Sequence, residues 1–305
     1  QTLITSDKMN DLQQNFSLAQ ETIVVIGAGT MGHGIAGQAA RCGATVRLYD
    51  ANRDALERGK VQIERIYQKA ITKTKMTEQE VTESWARLSF IDPISNEVLK
   101  TACREATIVI EAAPERLDLK RDIFSEVESA VASDTLLATN TSSLSIDKIA
   151  ASLKYPARFI GMHFFNPVAI MPLLEIVKGR HTSEATISKT RAIGEALLKT
   201  PIVVKDAPGF ATSRLGIALG NEAMRIFEEG VASAEDIDRA MVLGYRHPIG
   251  PLALTDLVGL DVRLAISEYL YTQLGTDTFN PPQVLKDKVA RGELGKKSGH
   301  GFYEY

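Results

Sequence analysis

The chain has 305 residues, of which 44% are hydrophobic and 24% are charged, and its formal net charge is -3. This length and composition are typical of a globular protein with about two domains, and the charge provides no basic surface for nucleic acid or anionic lipid. No apolar run approaches the ~20 residues of a membrane span, and the first residues lack a signal-peptide core. We therefore expect a cytoplasmic protein with no nucleic-acid or membrane partner.

The cysteines and the first residues of the chain carry little functional signal. Cys42 and Cys103 lie in unrelated contexts without metal-ligand spacing, which predicts no metal site and is typical of a reducing compartment. Residues 1–21 form a polar N-terminal extension, which we expect to be poorly ordered.

The stretch from Ile23 to Asp50 has the pattern of half a dinucleotide-binding unit. The apolar residues 23–26 lead into a glycine-rich turn, a segment with helical character follows to Arg41, and Thr45–Tyr49 has the composition of a second strand. This order of strand, glycine turn, helix, strand and terminal acid is the context that a nucleotide-binding glycine motif requires. It favours a nucleotide site over an ordinary tight turn between a strand and a helix.

The glycines of this turn and the acid at its far end have separate expected roles. Gly27 permits the tight turn, Gly29 leaves room for a pyrophosphate, and Gly32 lets the helix lie close to the strand. Asp50 is placed to accept both ribose hydroxyls and would repel a 2′-phosphate, which favours NAD over NADP. The predicted cofactor residues of this segment are Gly27, Gly29, Thr30, Met31, Gly32 and Asp50.

Residues 52–86 are predicted to form a helical hairpin inserted into the nucleotide domain. Apolar residues recur at helical spacing through a charged first segment, and Thr77 with Glu80 predicts a capping box at the start of the second helix. Lysines 60, 69, 73 and 75 of this hairpin either form a solvated face or bind phosphate.

The rest of the chain divides near residue 206. Strand signals occur at residues 87–90, 107–110, 135–138, 158–162, 173–177 and 202–204, with a helix at 182–199. Helices are predicted at residues 210–228, after Ser233 and at 261–274, and no convincing strand follows residue 206. The sequence therefore predicts a Rossmann-type α/β domain over residues 22–206 and an all-helical C-terminal domain over residues 207–305.

Polar side chains follow several of the predicted strands where these strands end. Glu111 and Glu115 follow one strand, with Lys120 in the next helix, and these residues either bind a ligand or stabilise the helix dipole. Ser142 belongs to a run of four small polar residues, 140–143, after the next strand, of which a helix cap would use only one.

His163 is the candidate general base for oxidation of an alcohol. Of the five histidines it alone follows a strand of the nucleotide domain at its carboxyl end. Glu175 lies on the next strand after a proline-containing reversal, and we expect its carboxylate to orient the imidazole ring. Ser142 and Asn166 are expected to hold the substrate oxygen or the nicotinamide amide by hydrogen bonds.

Seven segments together resemble the NAD-dependent L-3-hydroxyacyl-CoA dehydrogenase family, and bacterial 3-hydroxybutyryl-CoA dehydrogenases are the members that the chain most resembles. The segments are GAGTMGHGIA, EAAPERLDLK, NTSSL, GMHFFNPVAIMPLLEIV, DAPGFATSRL, EDIDRAMVLGYRHPIGPLALTDLVGLD and GKKSGHGFYEY. The resemblance covers the chain from about residue 22 to its end. It implies that the protein oxidises an (S)-3-hydroxyacyl-CoA and that this substrate has a short acyl chain. It also implies that the C-terminal domain forms a homodimer and contributes to the substrate cleft.

The resemblance also implies roles for individual residues. His163 occupies the position of the family's base, and Glu175 that of its partner. Ser142 lies at a serine position near substrate and nicotinamide. The cofactor contacts that the resemblance implies are Glu115, Lys120, Asn166 and Lys297, and the implied CoA contact is Lys73.

Ser213 departs from the family pattern, because well-known animal members have a substrate-side asparagine at this position. A hydroxyl group is shorter than an amide, so the acyl contact must differ or include a bridging water. Alternative substrates are 3-hydroxyadipyl-CoA and L-gulonate. A non-catalytic NAD-binding protein similar to lens crystallins is a further alternative, which the presence of His163 and Glu175 disfavours.

Overall fold

The computed structural model describes residues 16–94 and 97–305. These residues form two compact units, the first ending at Asp206 and the second running from Ala207 to Tyr305. The division lies at residue 206, near which the predicted strands give way to predicted helices.

The first unit is built on one eight-stranded sheet. The strands are β1 (Thr22–Ile26), β2 (Thr45–Tyr49), β3 (Leu88–Ile91), β4 (Ile108–Glu111), β5 (Leu136–Thr139), β6 (Phe159–Phe164), β7 (Leu173–Lys178) and β8 (Thr200–Lys205). Their order in the sheet is β3-β2-β1-β4-β5-β6-β7-β8, and each of the predicted strands is present. Strands β1 to β6 are parallel, as in a Rossmann-type domain.

The last two strands run in the opposite direction to the other six. Strand β7 pairs with β6 in antiparallel orientation, and β8 is parallel to β7. The connection between β6 and β7, residues 165–172, is shorter than the dozen or so residues that a parallel crossover needs. The chain therefore turns back directly, and residues near the carboxyl end of β6 face residues near the start of β7.

Helices cover this sheet and bury its central strands. They are Thr30–Arg41, Arg53–Thr72, Glu78–Ala86, Glu97–Cys103, Leu117–Glu128, Ile146–Ala150 and Glu184–Ala196. Strands β1 and β4 contain residues with no exposed surface, such as Val24 and Val109, as expected of a parallel sheet covered on both faces.

The predicted helical hairpin is present. Its first helix, Arg53–Thr72, buries Leu56, Ile63 and Tyr67, while its opposite side is charged and exposed. Its second helix, Glu78–Ala86, begins with the predicted capping box, in which the Glu80 amide donates to the Thr77 Oγ1 at 3.2 Å. The Glu80 carboxylate accepts from the Thr77 amide at 2.7 Å in return.

The structure describes residues 16–21 of the N-terminal extension. Ser17 caps a short 3₁₀ turn at Leu18–Gln20, and Leu18 is buried in the core of the first unit. Phe16 packs against the same core, so two apolar residues attach this otherwise polar segment. Residues 1–15 lie outside the described residues.

The second unit is helical, as predicted. Its helices are Thr212–Glu228, Ala234–Gly244, Pro251–Val258, Leu260–Leu274 and Gln283–Ala290. Residues 207–305 are all described, and they contain two isolated bridges but no strand. The buried carboxylate of Asp256 accepts from the amides of Phe302 and Tyr303, both at 2.9 Å, and so attaches the C-terminal segment to the helices.

Three of the observed helices had no counterpart among the sequence predictions: Glu97–Cys103, Pro251–Val258 and Gln283–Ala290. Each has only seven or eight residues, which is too short for a clear apolar periodicity. No helix in the described part of the chain is long and apolar enough to cross a membrane.

The capping box predicts the effect of a single substitution in the hairpin. Thr77→Ala should lower the free energy of unfolding by about 0.5–2 kcal/mol, because the Glu80 amide loses its acceptor. Thr82→Ala, in the same helix, should change it by less than about 0.5 kcal/mol. Urea unfolding of both variants measures the difference, and equal stabilities would contradict the assigned role of the cap.

Candidate active site

The glycine turn after β1 combines close packing at two of its glycines with open space at the third. Gly27 has a φ of +102°, and a Cβ built there would lie 2.6 Å from the carbonyl oxygen of Ala112. A Cβ on Gly32 would lie 1.7 Å from the carbonyl oxygen of Gly27, so these two glycines are required by packing. A Cβ on Gly29 would meet nothing within 4 Å. The backbone at Gly29, at the start of the helix Thr30–Arg41, therefore borders open space, and the N-terminus of a helix is a place where proteins commonly bind phosphate.

Asp50 lies at the tip of β2 and is held by two backbone groups. Its Oδ2 accepts from the Ala28 amide, and its Oδ1 accepts from the Asn52 amide, both at 2.8 Å. These bonds fix the carboxylate beside the glycine turn. Each carboxylate oxygen has a second lone pair with which it can accept a ribose hydroxyl.

Glu111, Glu115 and Lys120 form one ionic network at the carboxyl edge of the sheet. The Lys120 ammonium lies 2.7 Å from Glu111 Oε1 and 3.4 Å from Glu115 Oε2. The side chains of Lys120 and Glu111 have no exposed surface, whereas that of Glu115 is 35% exposed. Lys120 was predicted to contact the cofactor, but in this structure its ammonium lies within the network and only Glu115 reaches the surface.

Glu115 connects this network to the loop that follows β5. Its Oε1 accepts from the Thr141 hydroxyl at 2.5 Å and from the amides of Ser142 and Ser143 at 3.0 and 3.2 Å. Partial burial raises the pKa of this carboxyl, but the Lys120 ammonium and the hydrogen bonds from the loop outweigh that effect and lower the pKa. A carboxylate that stays ionised therefore holds the loop on which the exposed Ser142 lies.

His163 and Glu175 lie directly opposite each other on β6 and β7. The imidazole Nδ1 is 2.9 Å from the Glu175 Oε2, and the Glu175 side chain is fully buried. Phe165 packs beside the imidazole, with ring centroids 4.5 Å apart. A buried carboxylate on Nδ1 favours the tautomer that carries its proton there, which leaves Nε2 as the basic nitrogen.

Asn166 and Lys73 line the same cavity, which has a volume of about 190 Å³. The cavity lies between the helix Thr30–Arg41, the first hairpin helix and the loop after β6. Thr30 and His33, from the start of the first of these helices, also line it, as do the basic residues Arg41, Lys69, Lys73 and Lys75. The structure thus brings the predicted Thr30, Asn166 and Lys73 together at one positively charged cavity.

Two predicted ligand contacts belong to the second unit. Ser213 lies in the first turn of the helix Thr212–Glu228. The Lys297 ammonium is 2.5 Å from Asp261 Oδ1, and both side chains are nearly half exposed. Asp261 has a lowered pKa, chiefly because Lys297 donates a hydrogen bond to it.

Sequence reasoning did not single out two residues that hold the site together. The Thr139 hydroxyl donates to Glu111 Oε2 at 2.6 Å, and the Asn140 Oδ1 accepts from the Phe164 amide at 2.9 Å. The second bond connects the end of β5 to the strand that carries His163. Asn140 occurs in the noted run of small polar residues, and that position was its only signal.

Two family models match the chain over nearly its whole described length. The model for the NAD binding domain of 3-hydroxyacyl-CoA dehydrogenase matches residues 22–207. The model for the C-terminal domain of 3-hydroxyacyl-CoA dehydrogenase matches residues 209–305.

Individual relatives agree with these models. A protein of Bacillus subtilis named probable 3-hydroxybutyryl-CoA dehydrogenase is 44% identical over 283 residues, covering 93% of this chain and 96% of that protein. The 3-hydroxybutyryl-CoA dehydrogenase of Clostridioides difficile is 42% identical over 284 residues, covering 93% of this chain and 99% of that protein. The crystal structure of (S)-3-hydroxybutyryl-CoA dehydrogenase from Ralstonia eutropha matches with a TM-score of 0.87 at 42% identity, covering 93% of this chain and 99% of that one.

The fold and the glycine turn are those of a dinucleotide-binding protein, and the matched domains specify a dehydrogenase. The chain belongs to the 3-hydroxyacyl-CoA dehydrogenase family. It is an NAD-dependent enzyme that oxidises 3-hydroxyacyl-CoA. The resemblance on which the sequence analysis relied, and the expectation of NAD as cofactor, are confirmed.

The different surroundings of Gly29 and Gly32 predict different effects of adding a methyl group. Gly29→Ala should lower the free energy of unfolding by less than about 1 kcal/mol, since its Cβ has room. It should weaken NADH binding about tenfold, a loss of about 1.4 kcal/mol, because the methyl group occupies the space left for the pyrophosphate.

Gly32→Ala is the matched comparison, because its Cβ would collide with the backbone of Gly27. This variant should lose stability as well as NADH affinity. Thermal unfolding and NADH fluorescence titration measure both quantities. Unchanged NADH binding in Gly29→Ala would contradict the placement of the pyrophosphate.

Proposed function

We propose that this protein interconverts (S)-3-hydroxybutyryl-CoA and acetoacetyl-CoA, with His163 as the general base and Glu175 as the group that orients it. The observation that carries this proposal is the 2.9 Å contact between the imidazole Nδ1 and the Glu175 carboxylate, at the sheet edge that also holds the glycine turn. The short-chain substrate follows the names of the relatives at 42% and 44% identity.

His163 takes the proton of the substrate hydroxyl through Nε2 while hydride leaves the carbon that carries this hydroxyl. NAD, when bound, supplies the hydride acceptor. The imidazolium that forms is stabilised by the Glu175 carboxylate, which is buried and so interacts strongly with the new charge. In the reverse direction, the imidazolium gives the proton to the keto oxygen of the substrate as hydride adds to the carbonyl carbon.

Ser142 and Asn166 complete the polar contacts of the reaction. Both side chains are exposed at the ends of neighbouring strands, where they are available to a bound ligand. In this proposal they donate hydrogen bonds to the substrate oxygen or to the nicotinamide amide. Glu115, whose side chain reaches the surface, is proposed to contact the cofactor. A cofactor contact of Lys120 stays a prediction from the family resemblance, since its ammonium is buried between Glu111 and Glu115.

Lys73 is proposed to contact the CoA part of the substrate. It lines the cavity of about 190 Å³ together with Lys69, Lys75 and Arg41. Several cations around one cavity attract an anionic ligand, and CoA carries phosphates. This arrangement favours the phosphate-binding alternative over a purely solvated face for Lys69, Lys73 and Lys75, whereas Lys60 does not line the cavity.

The remaining predictions concern the second unit and the assembly. Lys297 as a cofactor contact, Ser213 as a substrate contact and the C-terminal domain as the dimerisation region stay predictions from the family resemblance. The cytoplasmic location stays a prediction from the sequence. Analytical ultracentrifugation would test the dimer.

His163→Ala tests the assignment of the base. The variant should lower kcat by ~10²–10⁴, the usual contribution of a general base, while NADH binding changes little. His181→Ala, at an exposed position after β7, should behave like the unmodified protein. Steady-state rates and NADH titrations provide both quantities, and near-normal turnover in His163→Ala would refute the assignment.

A substrate series tests the proposed specificity. Rates with acetoacetyl-CoA, a longer 3-ketoacyl-CoA and 3-oxoadipyl-CoA, each with NADH, and with L-gulonate and NAD should give the highest kcat/KM for acetoacetyl-CoA. A preference for the longer or the acidic thioester would overturn the short-chain assignment. Activity on L-gulonate alone would overturn the thioester as substrate.

A further inference from the structure

Glu111 lies at the carboxyl end of β4 and makes four polar contacts without any exposed surface. Its Oε1 accepts from the Lys120 ammonium at 2.7 Å and from the Ala113 amide at 2.6 Å. Its Oε2 accepts from Lys120 at 2.9 Å and from the Thr139 hydroxyl at 2.6 Å. The carboxylate is therefore bonded to the loop after β4, to the helix that follows this loop, and to the end of β5.

Lys120 has no exposed surface, so a ligand in open solvent does not reach it. Its ammonium is shared between Glu111 and Glu115, and Glu115 in turn accepts bonds from the loop residues 141–143. A chain of charge-assisted contacts thus runs from Glu111 through Lys120 and Glu115 to the loop that carries Ser142.

The same carboxylate also supports the glycine turn. It accepts from the Ala113 amide, and the neighbouring Ala112 carbonyl oxygen lies where a Cβ on Gly27 would collide with it. The loop at 112–113 therefore packs closely against the turn that receives the pyrophosphate. Displacement of this loop would therefore disturb the glycine turn and, through it, the cofactor site.

The charges explain why such a network tolerates burial. An ammonium with no exposed surface is costly unless a carboxylate accompanies it, and removal of one partner of a buried pair leaves the other charge uncompensated. Glu111 provides the closer of the two carboxylates on Lys120, at 2.7 Å against 3.4 Å for Glu115. Without Glu111, Lys120 has only Glu115 as an acidic partner in the network, and the geometry of Glu115 must change.

We propose that Glu111 is a positioning residue for the dehydrogenase reaction, which fixes Lys120 so that Glu115 holds the Ser142 loop in the geometry that the reaction needs. The inference rests on the proposed function in assigning Ser142 to the reacting groups. It makes no claim that Glu111 touches substrate or cofactor.

The test compares Glu111→Gln with Asp118→Asn, an exposed acid at the start of the helix that carries Lys120. Glu111→Gln should lower kcat about tenfold and weaken NADH binding, since about 1.4 kcal/mol of positioning is lost. Asp118→Asn should change neither quantity. Thermal unfolding of each variant shows whether it is folded.

Thr139→Val is the second variant, because it removes one hydrogen bond from Glu111 and leaves every charge in place. It should lower kcat in the same direction by a smaller factor, about two- to fivefold, and should fold even where Glu111→Gln does not. Normal kcat and NADH affinity in both folded variants would overturn the proposal. If Glu111→Gln does not fold, normal kcat and NADH affinity in Thr139→Val alone would overturn the proposal.

A double-mutant cycle with Ser142→Ala separates positioning from general stability. If Glu111 acts through the Ser142 loop, the effect of Glu111→Gln or Thr139→Val on kcat should largely disappear in the Ser142→Ala background. Equal effects in both backgrounds would mean that Glu111 acts on the fold alone, and would overturn the proposal. An unchanged kcat in Ser142→Ala would refute the role that the proposed function assigns to Ser142. In that case the positioning role of Glu111 is judged by NADH affinity, and an unchanged affinity in Glu111→Gln would reject it.

Discussion

The direct reversal of the chain between β6 and β7 is the constraint on which the active site depends. Residues 165–172 are too few for a crossover, so β7 returns beside β6 and places Glu175 opposite His163. A shift of one residue in this register would turn the carboxylate to the other face of the sheet. The pairing of base and acid therefore depends on strand register, and the buried residues of both strands fix that register.

The remaining polar groups gather at the same edge because six parallel strands end there. The glycine turn follows β1, Asp50 follows β2, the ionic network follows β4, and the Ser142 loop follows β5. Hydrogen bonds join the ends of neighbouring strands, as those from Thr139 to Glu111 and from the Phe164 amide to Asn140 show. The edge is thus a connected polar layer on a core with almost no exposed surface, and buried charge in it is compensated by partners rather than by water.

Much of the fold and part of the site could be predicted because their signals are local. Apolar runs marked every strand, Thr77 and Glu80 marked a cap, and the spacing from Gly27 to Asp50 marked a nucleotide site. Helices of seven or eight residues, such as Pro251–Val258, show too little periodicity to be recognised. The ionic network of Glu111, Glu115 and Lys120 could not be predicted either, because Glu111 and Glu115 lie near the end of the same predicted strand and the sequence does not distinguish them. Only packing shows that Glu111 and Lys120 are buried while Glu115 reaches the surface.

The tautomer of His163 is the most direct test of the account, because the mechanism requires the ring proton on Nδ1, towards Glu175, and an unprotonated Nε2. Nitrogen-15 NMR of the imidazole at a pH where the ring is neutral distinguishes the two forms. The account predicts the Nδ1-protonated form in the unmodified protein and its loss in Glu175→Gln, in which the carboxylate that favours it is absent. A ring protonated on Nε2 in the unmodified protein would contradict the proposed mechanism.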